Sequence, residues 1–141
     1  IVLSGNLDDL DKLILVLKEN DIKNVKLPVS APFHSSLMCN ATAIMSEKLN
    51  NLNFDQGENK LISNVTAKEI SNVDELKDLL ITQIEHRVRW RESVINMINY
   101  DVNHFIEIGP GKVLSGLVKR INKEVKINTI NNQGDIETLE I

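Results

Sequence analysis

The chain has 141 residues, 42% hydrophobic and 26% charged, with a formal net charge of −4. That is enough for one ordinary globular domain with its own core, and the mildly acidic balance excludes a general nucleic-acid binder or a binder of anionic membranes. No apolar run is long enough to span a bilayer, no signal-peptide pattern is present, and the single cysteine, Cys39, excludes an intrachain disulfide framework and fits a reducing compartment.

The chain begins Ile1-Val2-Leu3-Ser4-Gly5, inside what reads as a short buried strand, which points to a fragment of a longer polypeptide. Asn6 is a good N-cap, with Asp8 and Asp9 in the first turn, and Leu7, Leu10, Leu13, Ile14 and Leu17 recur at helical spacing, so an amphipathic helix is expected from Asn6 to about Asn20. Lys23 to Ser30 reads as a returning strand. The resulting βαβ unit is too small to bury its own sheet. Pro32 makes a corner, because the residue before a proline avoids the helical region. A second amphipathic helix runs from Ser35 to about Leu52 on Leu37, Met38, Ala41, Ile44, Met45 and Leu49.

Asp55 to Lys60 reads as a polar loop and Leu61 to Val65 as a strand. Asn72 with Glu75 resembles a capping box. Val73, Leu76, Leu80, Gln83 and Ile84 line the face of the helix that follows, and Trp90, Val94, Ile95 and Ile98 that of another. His104 to Ile108 is a strand, Gly109-Pro110-Gly111 a tight turn, Lys112 to about Lys123 a helix, Val125 to Ile130 a last strand, and Gly134 to Ile141 a tail of weak helical character. Strands alternating with helices predict an α/β fold with a mostly parallel sheet, with a boundary near Ser30.

One histidine stands out. His34 follows the Pro28 and Pro32 corner at the mouth of a helix, where the positive end of the helix dipole disfavours imidazolium and a general base is kept neutral. The alternative is a histidine that packs or caps a surface corner. Gln83 lies on an apolar face, where a long amide must find partners unless it reaches solvent at the edge of the stripe. Gly109-Pro110-Gly111, between strand and helix, could hold a phosphate on backbone N–H groups but lacks a P-loop or dinucleotide spacing, and a plain turn is the simpler reading. Cys39 has no adjacent base and reads as structural. His86 and His104 lack metal-site spacing. Arg87, Arg89 and Arg91 form either a solvated helix entrance or a contact for an anionic ligand or acidic partner. No Gly-x-Ser-x-Gly is present, and Ser115 lies inside an amphipathic helix. A serine served by His34 would therefore come from outside the chain.

Several motifs carry a family resemblance in order. Leu27-Pro28-Val29-Ser30-Ala31-Pro32-Phe33-His34-Ser35-Ser36-Leu37-Met38 resembles the catalytic-histidine segment of the malonyl-CoA:acyl carrier protein transacylases. Ile62-Ser63-Asn64-Val65-Thr66 is similar to the strand that follows it there, and Gln83 with Val88-Arg89-Trp90 to that family's Gln…Val-x-Trp segment. The run Phe105 to Ile121 is similar to its glycine-bounded C-terminal signature, and Val2-Leu3-Ser4-Gly5 to a strand of its small subdomain. The resemblance runs from end to end of the chain.

The resemblance implies the C-terminal part of an α/β-hydrolase-like acyltransferase domain, residues 31–141, with a partial ferredoxin-like small subdomain, residues 1–30. It implies a cytoplasmic, metal-free enzyme of fatty-acid biosynthesis that needs no cofactor beyond the coenzyme A thioester it uses as substrate. Such an enzyme moves malonyl from malonyl-CoA to acyl carrier protein through a seryl ester. His34 would be the general base, and the Gln83 position would supply the carbonyl that orients its imidazole. A neutral orienter stabilises imidazolium less than a carboxylate would, which suits reversible transfer between thioesters.

The family's serine elbow, its glutamine-bearing oxyanion loop and the arginine that pairs with the malonyl carboxylate would precede Ile1, so the fragment alone is expected to be inactive. His86-Arg87 stands where relatives often have Asn-Pro. A rival reading is a non-catalytic split or decayed piece that docks acyl carrier protein through Arg87, Arg89, Lys112 and Lys119. A third is an unrelated α/β domain with a structural His34.

Overall fold

Helices carry their own hydrogen bonds and form wherever caps and spacing agree, whereas strands form only where the chain brings a partner. That distinction orders this molecule. The computed structural model describes residues 1–55 and 57–139. Gln56 of the expected polar loop and Glu140 and Ile141 of the expected tail lie outside the described residues. The chain divides into two compact units, Ile1–Val88 and Arg89–Ile141.

In the first unit, α1 spans Leu7–Glu19. Asn6 caps it, its side-chain oxygen accepting from the Asp8 N–H at 2.9 Å, with Asp8 and Asp9 against the positive end of the dipole. The helix stops at Asn20, and Asp21 adopts the left-handed region at φ 57. The Ile22 N–H then reaches the Leu17 carbonyl at 2.9 Å and the Asp21 N–H reaches that of Lys18 at 3.1 Å. This is a Schellman ending with aspartate where glycine is usual.

Neither 1–3 nor 23–30, both expected as strands, forms one. No strand among the described residues pairs with either, and the apolar residues Val2, Val25, Leu27 and Val29 are exposed. Lys26 Nζ meets Asp11 Oδ1 at 2.7 Å and ties the second run back to α1. The predicted helix after the corner begins with a 3₁₀ turn, Ser36–Met38, and continues as α2, Cys39–Asn50. Leu61 to Val65 is also not a strand. It is one side of a loop closed by an isolated antiparallel bridge between Ile62 and Glu69. α3, Val73–Thr82, packs against α2. Its N-cap Asn72 accepts from the Glu75 N–H at 2.9 Å, while the Glu75 carboxylate turns back to Ser71 rather than to Asn72.

The second unit opens with α4, Trp90–Asn99, which ends like α1: Asp101 has φ 65 and the Val102 N–H bonds the Met97 carbonyl at 3.1 Å. β1, His104–Ile108, and β2, Lys126–Ile130, then pair in parallel, His104 opposite Lys126 and Ile108 opposite Ile130. The crossover between them is α5, Val113–Ile121, which packs on both strands and on α4. A short α6, Gln133–Glu137, lies on β2. Val94, Val118 and Val125 are buried among Trp90, Met97, Ile98, Phe105, Ile121 and Ile127. The α/β class is as expected, and the parallel pairing belongs to this βαβ unit.

Candidate functional site

The site is built where the Pro32 corner meets the end of α3. The Ser35 hydroxyl donates to the Pro32 carbonyl at 2.7 Å and closes the corner. Within that turn His34 takes φ 60, the left-handed region. Histidine visits that region more often than most residues but still at a cost of roughly 1–2 kcal/mol. Two carbonyls hold it there. The His34 N–H donates to the Ile84 carbonyl at 3.2 Å, and His34 Nδ1 lies 2.9 Å from the Gln83 backbone oxygen. A helix leaves its last carbonyls without intrahelical partners. Gln83 is the C-cap of α3, so its carbonyl is free to meet the ring.

This contact sets the chemistry of the imidazole. A carbonyl oxygen only accepts, so Nδ1 carries the proton and the lone pair of the neutral ring sits on Nε2. Fixing the tautomer through the far nitrogen is what a general base requires. The dipole argument from sequence does not transfer to the structure. His34 precedes only a 3₁₀ turn capped at Ser35, α2 starts at Cys39, and the field of a helix end fades within its first turn. The orienting group on the ring is the Gln83 carbonyl at the end of another helix.

Gln83 does not reach out to solvent. Its backbone faces His34, and its side-chain oxygen accepts from Asn64 Nδ2 at 3.1 Å in a half-buried setting. Asn64 is a partner that the sequence motifs do not name. Its one sequence signal is a polar residue in a strand-like stretch, where a hydrophobic one would pack.

Gly109 and Gly111 both have positive φ, 138 and 94, which the turn demands and a side chain would resist. Their N–H groups are already used: Gly109 donates to the Ile130 carbonyl at 2.9 Å and Gly111 to Asn131 Oδ1 at 2.6 Å. At the start of α5 the Leu114 and Ser115 N–H groups donate to the Glu107 carboxylate, at 3.1 and 2.7 Å. A carboxylate from β1 therefore sits where a phosphate would, and the phosphate-cradle reading gives way to a structural turn. Ser115 above all, its N–H aimed at the carboxylate, holds the Glu107 carboxyl below the usual glutamate range against the opposing effect of burial, and the Leu114 and Val113 N–H groups add to it.

His86 Nδ1 bonds the Thr82 carbonyl of its own helix end at 2.9 Å, and His104 Nε2 meets Asn128 Oδ1 across the strand pair at 2.8 Å. Both roles are local. Cys39 is exposed and starts α2. Arg89 Nε meets Glu92 Oε1 at 3.3 Å on α4. Among the described residues no group of three or more His, Cys, Asp or Glu is gathered to hold a metal, and no helix is long and apolar enough to cross a membrane.

No family model matches the chain. Individual proteins do. The chain is 39% identical over 142 aligned residues to the malonyl CoA-acyl carrier protein transacylase of Bacillus subtilis, covering 100% of this chain and 44% of that protein. It is 37% identical to that of Staphylococcus aureus, covering 97% and 45%. Among solved structures, the Clostridium perfringens malonyl CoA-acyl carrier protein transacylase superposes with a TM-score of 0.87 at 36% identity, over 95% of this chain and 42% of that one. A malonyl-transacylase solved in complex with a type II polyketide acyl-carrier protein superposes with a TM-score of 0.87 at 28% identity, over 95% and 44%. The chain thus spans somewhat under half the length of the relatives it matches, and over that span it is similar in sequence and in fold to malonyl CoA-acyl carrier protein transacylases.

Proposed function

We propose that the chain is the C-terminal part of a transacylase that moves malonyl from coenzyme A to acyl carrier protein. The complete protein would work through a seryl ester, with the nucleophilic serine contributed by polypeptide preceding Ile1. Residues 1–30 would belong to a ferredoxin-like small subdomain and 31–141 to the large acyltransferase domain. That boundary concerns the domains of the longer protein and differs in kind from the division of this chain between Val88 and Arg89. The protein would act in the cytoplasm, in fatty-acid synthesis, with no cofactor beyond its coenzyme A thioester substrate.

His34 is the general base in this reading. Its Nε2 takes the proton of the serine hydroxyl as the serine oxygen attacks the thioester carbonyl. The C–S bond breaks, and the proton passes to the leaving coenzyme A thiolate. In the second half the same nitrogen takes the proton of the carrier thiol, and the serine oxygen leaves with that proton. The Gln83 carbonyl, at the partly negative end of α3, faces the ring while it bears the extra proton. The observation that carries the assignment is the 2.9 Å contact of Nδ1 with that carbonyl, which leaves Nε2 as the proton acceptor. The strained φ of His34 supports it, since such strain persists where surrounding contacts over-determine it and gathers at functional sites.

Radiolabelled malonyl-CoA tests the proposal. The complete polypeptide that carries this chain should take up label as an ester and pass it to acyl carrier protein, and the 141-residue chain alone should do neither. A complete polypeptide that forms no malonyl ester, or a lone chain that loads the carrier, would overturn the reading.

A further inference from the structure

We propose that Asn64 is a positioning residue for His34, acting through Gln83. The proposal rests on the reading of His34 as the base and adds to it the group that keeps the orienting carbonyl aimed. Gln83 ends α3, and helix ends fray, so a carbonyl there is a poor fixed point unless something holds the residue that bears it. Asn64 supplies the hold: its Nδ2 donates to Gln83 Oε1 at 3.1 Å, while the backbone oxygen of the same residue meets His34 Nδ1 at 2.9 Å. One glutamine is thus gripped by its side chain and works with its backbone.

Asn64 can serve as the fixed point because its loop is the best-anchored part of Ile1–Val88. Ser63 and Ala67 are the buried residues of that unit, 5% and 1% exposed, among those described. The Ser63 hydroxyl accepts from the Val65 and Thr66 N–H groups at 3.1 and 3.3 Å, and the Ser63 N–H and carbonyl bond Lys68 and Ala67 at 2.9 Å each. Ala67 holds a left-handed φ of 59, which alanine adopts only under such constraint. Loop, helix end and imidazole form a relay in which each link is a single hydrogen bond.

The test reads the ring itself. Two-bond ¹H–¹⁵N spectra of His34 in the complete polypeptide report the ratio of the Nδ1–H to the Nε2–H tautomer. Asn64→Leu, close in shape but without a donor, should lower that ratio about 2- to 10-fold, the range one net hydrogen bond spans. Gln83→Ala keeps the backbone carbonyl and removes only the amide, and it should lower the ratio equally. The double variant should be no worse than either single, because both cut the same link. Asn64→Asp should recover most of the ratio, since the Gln83 amide can turn its N–H toward a carboxylate. If Asn64→Leu does not fold, Gln83→Ala decides alone. An unchanged ratio in a folded variant, or additive losses in the double, would overturn the proposal. The outcome is separable from that of the base assignment. A shifted ratio alongside intact malonyl transfer in His34→Ala would remove the base and leave the relay, and an unshifted ratio alongside abolished transfer would do the reverse.

Discussion

Arg89–Ile141 and Ile1–Val88 solve the same problem in different ways. The second unit contains both strands of its parallel pair, the helix that crosses between them and a valine core. The first contains helices, turns and a 3₁₀ corner, and its strand-like runs 1–3 and 23–30 find no strand partner among the described residues. Strand-forming sequence alone does not make a strand; the ladder must be available within the chain. It is the unit without a sheet that carries the candidate base. His34 is therefore fixed by backbone carbonyls at a helix end and by a strained turn, and not by packing.

Amide exchange should show the difference most strongly. The amides of β1 and β2 should exchange at least about 100-fold more slowly than those of residues 23–30, which have no ladder to protect them. Comparable protection in 23–30 of the 141-residue chain would break the comparison. Next in size, Val94→Ala removes side-chain atoms from the most buried position of the core and should cost about 2 kcal/mol in urea unfolding. Val16→Ala, at an exposed position on α1, should stay within about 0.5 kcal/mol. Equal costs would mean the first unit has a core that the structure does not show.

Smaller again, Asn72→Ala removes the cap of α3 and should cost about 1 kcal/mol, measured by the same unfolding. The loss should fall on the helix whose far end holds His34. The smallest effect concerns Glu107. Its carboxyl titrates below the usual glutamate range in the folded chain, so the stability it contributes is present above the unfolded glutamate pKa of about 4.3 and is lost as pH falls through the lower folded value. Glu107→Gln should therefore flatten the acid side of the stability profile and leave its shape at neutral pH unaltered. An unchanged acid limb would remove Glu107 as the cap of α5.

The second unit was largely legible from spacing and punctuation. His104 to Ile108, the Gly109-Pro110-Gly111 turn and the strand ending at Ile130 are all found within a residue or so of their expected bounds. The strands expected at 1–3, 23–30 and 61–65 were not found, because periodicity reports a residue's preference and not whether a partner exists. The aspartate-bearing helix ends at Asp21 and Asp101 went unread, since glycine is the usual signal for that turn.

At the site, His34 and Gln83 were both legible as residues, and the structure brings them together. The helix dipole expected to act on His34 is not what orients it, because the helix it precedes begins as a 3₁₀ turn and the contact comes from the end of α3. For Asn64 the sequence offers only a polar residue in a strand-like stretch, because its role depends on a loop closed by Ser63 and Ala67.

If Nε2 of His34 is the proton acceptor, replacing that ring is the most direct test of it. In the complete polypeptide, His34→Ala should lower malonyl transfer to acyl carrier protein by about 10²–10⁴, the usual worth of a general base, while His86→Ala, whose ring serves only its own helix end, should stay within about tenfold of the parent. Transfer within about tenfold of the parent in His34→Ala would contradict it.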